Sequence, residues 1–489
     1  MPQFRYADIH CHPNLKTFGH SFSRHNSPRA DMWHEINPSW FTRKIHRLTG
    51  VSKFSQADFS SMAKGKAKII SLSLYPFEKG FFINPNVPPP LAAFLADWGI
   101  EIGYNRIRHL QKHTDYFTDL LKEYEFVINS RQEHIINGQA YRWQLAANWQ
   151  EAENISAQEN TIAVIISIEG AHVFNCGLAD FGVKPDENEI LNNIKKVKQW
   201  QYAPLFIGLS HNFNNDLCGH ARSLQRLGKL VNQEKNIDAG LFNLGEKVVH
   251  ALLDNSNGRS IYIDLKHMSL AARQQYLQLL KRDYSNRKIP LIVSHGAVMG
   301  LSLNGGRANT GCYDIFNAAD INFYDEEIIA VAASGGLFAL QMDICINADL
   351  KKLKAGLPVI PGETPLHRSA RIIWNQLQHI AMVLDSNGMF AWGTTAIGSD
   401  FDGSINPFPG ILTVESFEPL AKELLHLTAD FITQKKLSLP QNAQCSTEEI
   451  IDGFMYGNAS EVFERIFLIH SSRSLIGMPW FHDSVPPLC

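Results

Sequence analysis

The chain has 489 residues, 45% of them hydrophobic, which is ample for a large buried core, and α/β barrels often run past 250 residues as one domain. Its 45 basic and 48 acidic residues leave a formal net charge of -3, so the large basic surplus of a nucleic-acid binder is absent. No uninterrupted apolar run approaches the roughly 18 residues of a membrane helix, so no membrane insertion is expected.

Met1 to Asp8 lacks a basic stretch followed by an apolar one, so no secretory signal is expected. The seven cysteines are scattered and form no CxxC pair, which argues against a disulfide frame and points to a reducing, cytoplasmic compartment. The first short apolar run covers 4–12 and ends in His10-Cys11-His12. The second covers 67–75, and six more follow at 162–169, 205–211, 261–267, 290–295, 336–343 and 396–402. Most are rich in Ile, Val, Leu and Phe, the pattern of strands buried on both faces of a parallel sheet. Periodicity alone leaves a buried helix segment open as the alternative for each run. Between them, 190–200, 244–253, 270–281, 325–333 and 368–384 carry helical periodicity. The alternation predicts an α/β fold, and eight strands favour a closed (β/α)8 TIM barrel over an open sheet.

Two connections are too long to be simple. Residues 13–65 are rich in His, Arg, Ser and aromatic side chains. Residues 77–161 open on a Pro-rich turn with Pro85 and Pro88-Pro89-Pro90, then read as two or more helices. Both are expected to be insertions or lid segments within one domain spanning 1–489. After Asp402 the chain reads as loop and then a C-terminal helical extension. Ser446-Thr447-Glu448-Glu449 has the form of a capping box opening a last helix through Phe463.

Six of the eight runs end in a group that can bind a metal or move a proton: His10 with His12, Glu169, His211, His267, His295 and Asp400. Barrel enzymes place their chemistry at the C-terminal ends of strands. Any one of these residues has a plain alternative, a hydrogen-bonded structural His or a helix-capping carboxylate. The shared placement of all six argues for a site. His10 and His12 lie two apart, so on a strand both point to the same face and reach one ion, with Asp8 behind them as a supporting partner and Cys11 turned to the other face. Glu169 has two oxygens and can bridge two cations, and His267 and His295 can bind the second as neutral imidazoles. Asp400 can accept a proton from an activated water and pass it on. Asp402 falls on the opposite face and reads as structural. His109 and His113 are four apart but lack the Glu of an HExxH motif, and His20, His25, His34 and His46 have no ligand spacing. His172 reads as a supporting group or a cap.

The segments 168–172 (Ile-Glu-Gly-Ala-His), 209–212 (Leu-Ser-His-Asn), 263–269 (Ile-Asp-Leu-Lys-His-Met-Ser), 293–295 (Val-Ser-His) and 397–403 resemble, in order, the membrane (renal) dipeptidase family, peptidase family M19, of the amidohydrolase superfamily. Shorter likenesses at 54–58, 240–245, 457–458 and 462–463 extend the resemblance from Asp8 to Phe463, broken mainly by 13–65. The resemblance implies zinc, one or two ions per chain with two favoured. His10 and His12 would hold one, with Glu169 bridging to a second on His267 and His295. It implies a metal-activated hydroxide attacking a dipeptide's amide carbonyl, His211 polarising that carbonyl, and Asp400 moving the proton. It implies Arg307, in Asn304-Gly305-Gly306-Arg307, as the anchor of the substrate carboxylate, the alternative being a solvated loop cation. It also implies a homodimer. One departure stands out: the family's first motif reads His-x-Asp, and here His12 takes the place of that carboxylate. Two rival functions follow, an amidohydrolase of non-peptide C–N bonds and a non-catalytic metal-binding protein.

Overall fold

The computed structural model describes residues 4–23, 27–49, 52–84, 86–224 and 231–471. Among these described residues, ten strands occur in chain order: Tyr6–Cys11 (β1), Ala67–Leu74 (β2), Glu133–Ile136 (β3), Gln139–Leu145 (β4), Thr161–Ile168 (β5), Phe206–Gly208 (β6), Tyr262–Asp264 (β7), Ile292–Gly296 (β8), Leu337–Leu340 (β9) and Thr395–Ile397 (β10). The eight strands other than β3 and β4 form a parallel set that closes on itself. β2 joins β5 from Ile69 opposite Ala163 to Leu74 opposite Ile168, and β10 returns to β1 through Asp8 opposite Ile397. The result is the (β/α)8 barrel, and each of the eight predicted runs overlaps one barrel strand.

The regular strands are shorter than the apolar runs. β6, β7 and β10 keep only three residues each. Their polar ends leave the ladder to turn into the barrel mouth. His267 and Asp400 do so with φ of 65° and 58°, a left-handed backbone that costs non-glycine residues energy and gathers at functional sites.

The helices between strands occupy the expected places. Glu187–Lys198, Leu270–Asp283 and Pro365–Ser386 are capped by the side chains of Asp186, Ser269 and Thr364. Leu270–Asp283 is tied to Asp325–Ala333 by a buried ion pair. Arg273 donates through Nε and Nη2 to the two oxygens of Glu327, at 2.6 and 3.1 Å, and also to the carbonyls of Met268 and Asn322. Removing one partner leaves an uncompensated buried charge. Glu327→Ala is therefore expected to cost about 3–5 kcal/mol, read as a lower urea midpoint at unchanged slope.

An antiparallel hairpin, β3–β4, was absent from the sequence-based expectation for 77–161. It turns at Asn137-Gly138 with φ of 52° and 81°, as a two-residue type I′ turn requires. β4 then runs parallel to the first half of β5, from Arg142 opposite Thr161 to Leu145 opposite Val164. The same connection holds the helices Pro89–Ile100, Tyr104–Lys112, Tyr116–Ile128 and Trp149–Ala157, and residues 13–65 hold Leu15–Ser21, Trp40–Thr49 and Phe59–Lys64. The two long connections meet in a small apolar cluster of their own: Leu15 from the first packs with Phe77, Phe82, Ile102 and Ile107 of the second, and with Tyr75 just past β2. Pro85 and His25 lie outside the described residues.

At the C-terminal end the capping box of Ser446 and Glu449 forms. The helix it opens, Thr447–Asp452, passes through a π turn at Gly453–Gly457 into Asn458–Ser471, rather than running as one regular helix to Phe463. No described helix is long and apolar enough to cross a membrane.

Candidate metal centre

His10 is on β1 and His295 on β8, and Glu169 follows β5 directly. His211, His267 and Asp400 each stand three residues past a three-residue strand. All are buried, between 1 and 7% exposed, and His12 is fully buried. The turn after Glu169 needs Gly170, whose φ is 90° and where a Cβ would lie 2.4 Å from His172 Nδ1.

The donor atoms fall into two groups that share Glu169: His10, His12, Glu169 and Asp400 in one, Glu169, His267 and His295 in the other. In the first, His10 and His12 bring their Nε2 atoms 3.2 Å apart, and these stand 3.2 to 3.8 Å from oxygens of Glu169 and Asp400. In the second, the Nε2 atoms of His267 and His295 are 3.2 Å apart and lie 3.5 and 3.4 Å from Glu169 Oε1. Bonds of about 2.1 Å to a tetrahedral ion would separate neighbouring ligand atoms by about 3.4 Å. Both groups have that spacing, and both present nitrogen and carboxylate donors, so the residues fit a metal pair bridged by Glu169.

The electrostatics agree. Burial, with His211 beside it, pushes His267 down to about 3, and burial with His10 and Lys266 holds His295 well below the ordinary histidine range. Both are neutral and keep a lone pair to give. Burial opposes charge on Glu169, but His211, His10 and His12 outweigh it and hold its carboxyl well below the usual range. Burial likewise works against charge on His12, yet Asp400 and Glu169 raise it to about 10. A cation accepting the Nε2 lone pair satisfies the same two carboxylates that otherwise favour a proton.

The supporting contacts repeat one device. His295 Nδ1 bonds Ser294 Oγ at 2.8 Å, and Ser294 donates from Oγ and N to Asp264 on β7. Across β1 and β10, Asp8 accepts from N and Oγ of Ser399, the residue before Asp400. Asp8 therefore supports the loop that carries Asp400. It takes only the backbone N–H of His10, and the ring Nδ1 of His10 has no partner among the described residues. His12 donates from Nδ1 to the Ser73 carbonyl, which turns its Nε2 inward. Removing such a partner usually costs a metal site about 10–100-fold in affinity, and Ser294→Ala is expected to show that loss in a chelator competition.

Three nearby residues went unnoticed in the sequence. Gln341, just past β9, donates to Asp400 Oδ2 at 2.7 Å. Lys266, buried beside His267, donates to Gln341 Oε1 at 3.1 Å. Glu78 accepts from His211 Nδ1 at 3.0 and 3.1 Å. A polar residue inside the apolar run 336–343 was the available signal for Gln341. Nothing in the spacing marked Glu78.

Other residues fall elsewhere. Cys11 is buried against β2, its Sγ 3.7 Å from the Ser71 carbonyl. Asp402 accepts from Lys16 and from the backbone of Gln56 and Ala57, fastening the segment 13–65 to the barrel. His172 donates to the Pro76 carbonyl, and the rings of His109 and His113 meet at a tilt, 4.0 Å apart. None of these, nor His20, His34 or His46, belongs to either donor group. Arg307 is not gathered with the metal-binding residues: it stands exposed on the loop after β8 and pairs with Asp314 at 2.5 Å.

The profile of the membrane dipeptidase family, peptidase family M19, matches residues 25–436. No curated protein matches the sequence. Among solved structures, dipeptidase AC, a metallopeptidase of family M19, is similar at 13% identity and a TM-score of 0.50, covering 95% of this chain and 99% of its own. A metallopeptidase from Rhodobacter sphaeroides, solved with a phosphinate mimic of the dipeptide L-Ala-D-Ala, is similar at 13% identity and 0.50, with the same coverage. These two likenesses support the barrel fold, and the match over 25–436 places the chain in the membrane dipeptidase family of metallopeptidases.

Proposed function

We propose that this chain is a zinc-dependent dipeptidase that hydrolyses the amide bond of a small dipeptide-like substrate with a free carboxylate. The observation that carries the reading is the sharing of Glu169 between two tetrahedrally spaced donor groups. His10, His12, Glu169 and Asp400 would hold one ion, and Glu169, His267 and His295 the other. Bound there, the ions would supply a water of lowered pKa and polarise the amide carbonyl. Nitrogen and carboxylate donors at this spacing favour zinc over harder ions that prefer six oxygens.

The protein's own groups supply the rest. Asp400 has Oδ2 fixed by Gln341 and Oδ1 facing the His10 and His12 nitrogens, placed to take the proton of the attacking water and deliver it to the leaving amine. His211 stands with Nε2 3.4 Å from Glu169 Oε1, and burial, outweighed by Glu78 and Glu169, leaves it raised to about 10. A charged imidazole there donates to the substrate oxygen as negative charge develops. Arg307 would leave Asp314 to take the substrate carboxylate in a two-pronged bond. A cytoplasmic setting and a homodimer complete the proposal.

Thorough chelation is expected to abolish dipeptide hydrolysis and added zinc to restore it. Activity that survives complete metal removal would end this reading. The second reading, hydrolysis of a non-peptide amide, is favoured by His12 standing where the family carries a carboxylate. A panel of dipeptides and non-peptide amides separates the two.

A further inference from the structure

We propose that Glu78 is the positioning residue of His211: its carboxylate takes the Nδ1–H of that ring and so aims Nε2 at the substrate side of Glu169. The two residues are 133 apart in sequence and come from different connections, one after β2 and one after β6. Glu78 is 5% exposed, and each bond its carboxylate accepts serves this junction. Oε1 accepts from His211 Nδ1 and from the backbone N of Asn212, both at 3.1 Å. Oε2 accepts from His211 Nδ1 at 3.0 Å and from the Tyr75 hydroxyl.

The surroundings make this placement rigid. The Tyr75 ring stands edge-on to His211 with 4.7 Å between centres. The His267 ring also stands edge-on to His211, at 4.4 Å between centres. The short helix Lys79–Phe81 that follows Glu78 is locked to the His211 loop by the edge-on contact of Phe81 with Phe213 at 4.9 Å. Lys79 donates its backbone N to the Tyr116 hydroxyl at 2.9 Å, tying this turn to the helix Tyr116–Ile128. Nδ1 faces the Glu78 carboxylate and Nε2 lies 3.4 Å from Glu169 Oε1, with the Asn212 amide Nδ2 3.0 and 2.9 Å from the two ring nitrogens. The arrangement follows the general logic in which a buried carboxylate orients an imidazole without itself touching substrate. It also gives the long connection after β2 a specific task in the site.

The kinetic part of this proposal rests on the dipeptidase reading, and the spectroscopic part does not. In the full-length protein, a low-field imidazole N–H proton resonance, assigned by its loss in His211→Gln, is expected in the parent. In Glu78→Gln, which keeps the shape of the side chain, that resonance is expected to move upfield, because a neutral amide is a weaker acceptor than a carboxylate. Its absence in the parent, or an unchanged position in Glu78→Gln, overturns the proposal. In zinc-loaded enzyme with a dipeptide substrate, Glu78→Gln is expected to lower kcat about 100-fold with little change in KM. The double variant Glu78→Gln/His211→Gln is expected to be no slower than His211→Gln alone, whereas fully additive losses overturn the proposal. Should the parent cleave no dipeptide while the resonance behaves as stated, the positioning role stands and the dipeptidase reading alone fails.

Discussion

Glu169→Gln is expected to empty both metal groups at once and to lower kcat/KM by at least about 1,000-fold. Glu169 Oε1 faces the Nε2 atoms of His10, His211, His267 and His295, while Oε2 faces His12. No other described residue belongs to both donor groups. A glutamine keeps the volume and the bond to the strand end, but one of its two heads is an NH2 that has no lone pair to give. Whichever way the amide turns, one group loses its oxygen ligand and meets donor hydrogens instead. The shared negative charge is lost as well, and two cations about 3.5–4 Å apart need a bridging anion to stay together. Metal per chain by elemental analysis, measured beside kcat/KM, checks the result. Two ions retained in Glu169→Gln would show that the bridge lies elsewhere.

The site was legible where chemistry coincided with pattern. Glu169, His211, His267, His295 and Asp400 each stand at the end of an apolar run, and their shared placement, rather than any one of them, pointed to a candidate site at the barrel mouth. His10 and His12 were legible from their spacing together with their place at the end of the first apolar run, because side chains two apart on a strand share a face. The supporting residues were not, since their roles are set by tertiary contact. Gln341 acts on Asp400 from 59 positions away and Glu78 on His211 from 133. Asp8 takes the backbone N–H of His10 two residues on, but its second contact, across to Ser399, was not legible, because it joins residues 391 positions apart. The hairpin Glu133–Leu145 was missed because β3 alternates between exposed and half-buried residues and β4 buries only Trp143 and Leu145, so neither forms an apolar run. Asn137-Gly138 was the local signal that marked it. Arg307 shows the reverse case. Its chemistry suits a carboxylate, but it stands in the open, bonded to Asp314.

Asp400→Asn is expected to separate proton transfer from metal binding. A positioned general base is worth about 100- to 10,000-fold in rate, so kcat should fall within that range while KM stays near the parent value. His10, His12 and Glu169 remain to hold the first ion, and the second group does not include Asp400. Metal content is therefore expected to survive, unlike in Glu169→Gln. The substitution is also gentle on the fold. Asp400 has a φ of 58°, a conformation that asparagine tolerates better than most residues, so backbone strain does not confound the comparison. Its backbone N still donates to the His10 carbonyl at 2.9 Å, and Gly403 N still bonds the Asp400 carbonyl at 3.0 Å. Gln341 Nε2, at 2.7 Å from Oδ2, will select the amide oxygen and turn the NH2 toward the metal groups, where it can accept no proton. Elemental analysis and steady-state kinetics on the same preparation check both halves. Parent-like kcat would remove Asp400 from the chemistry, and loss of metal in step with kcat would make it a ligand first and a base second.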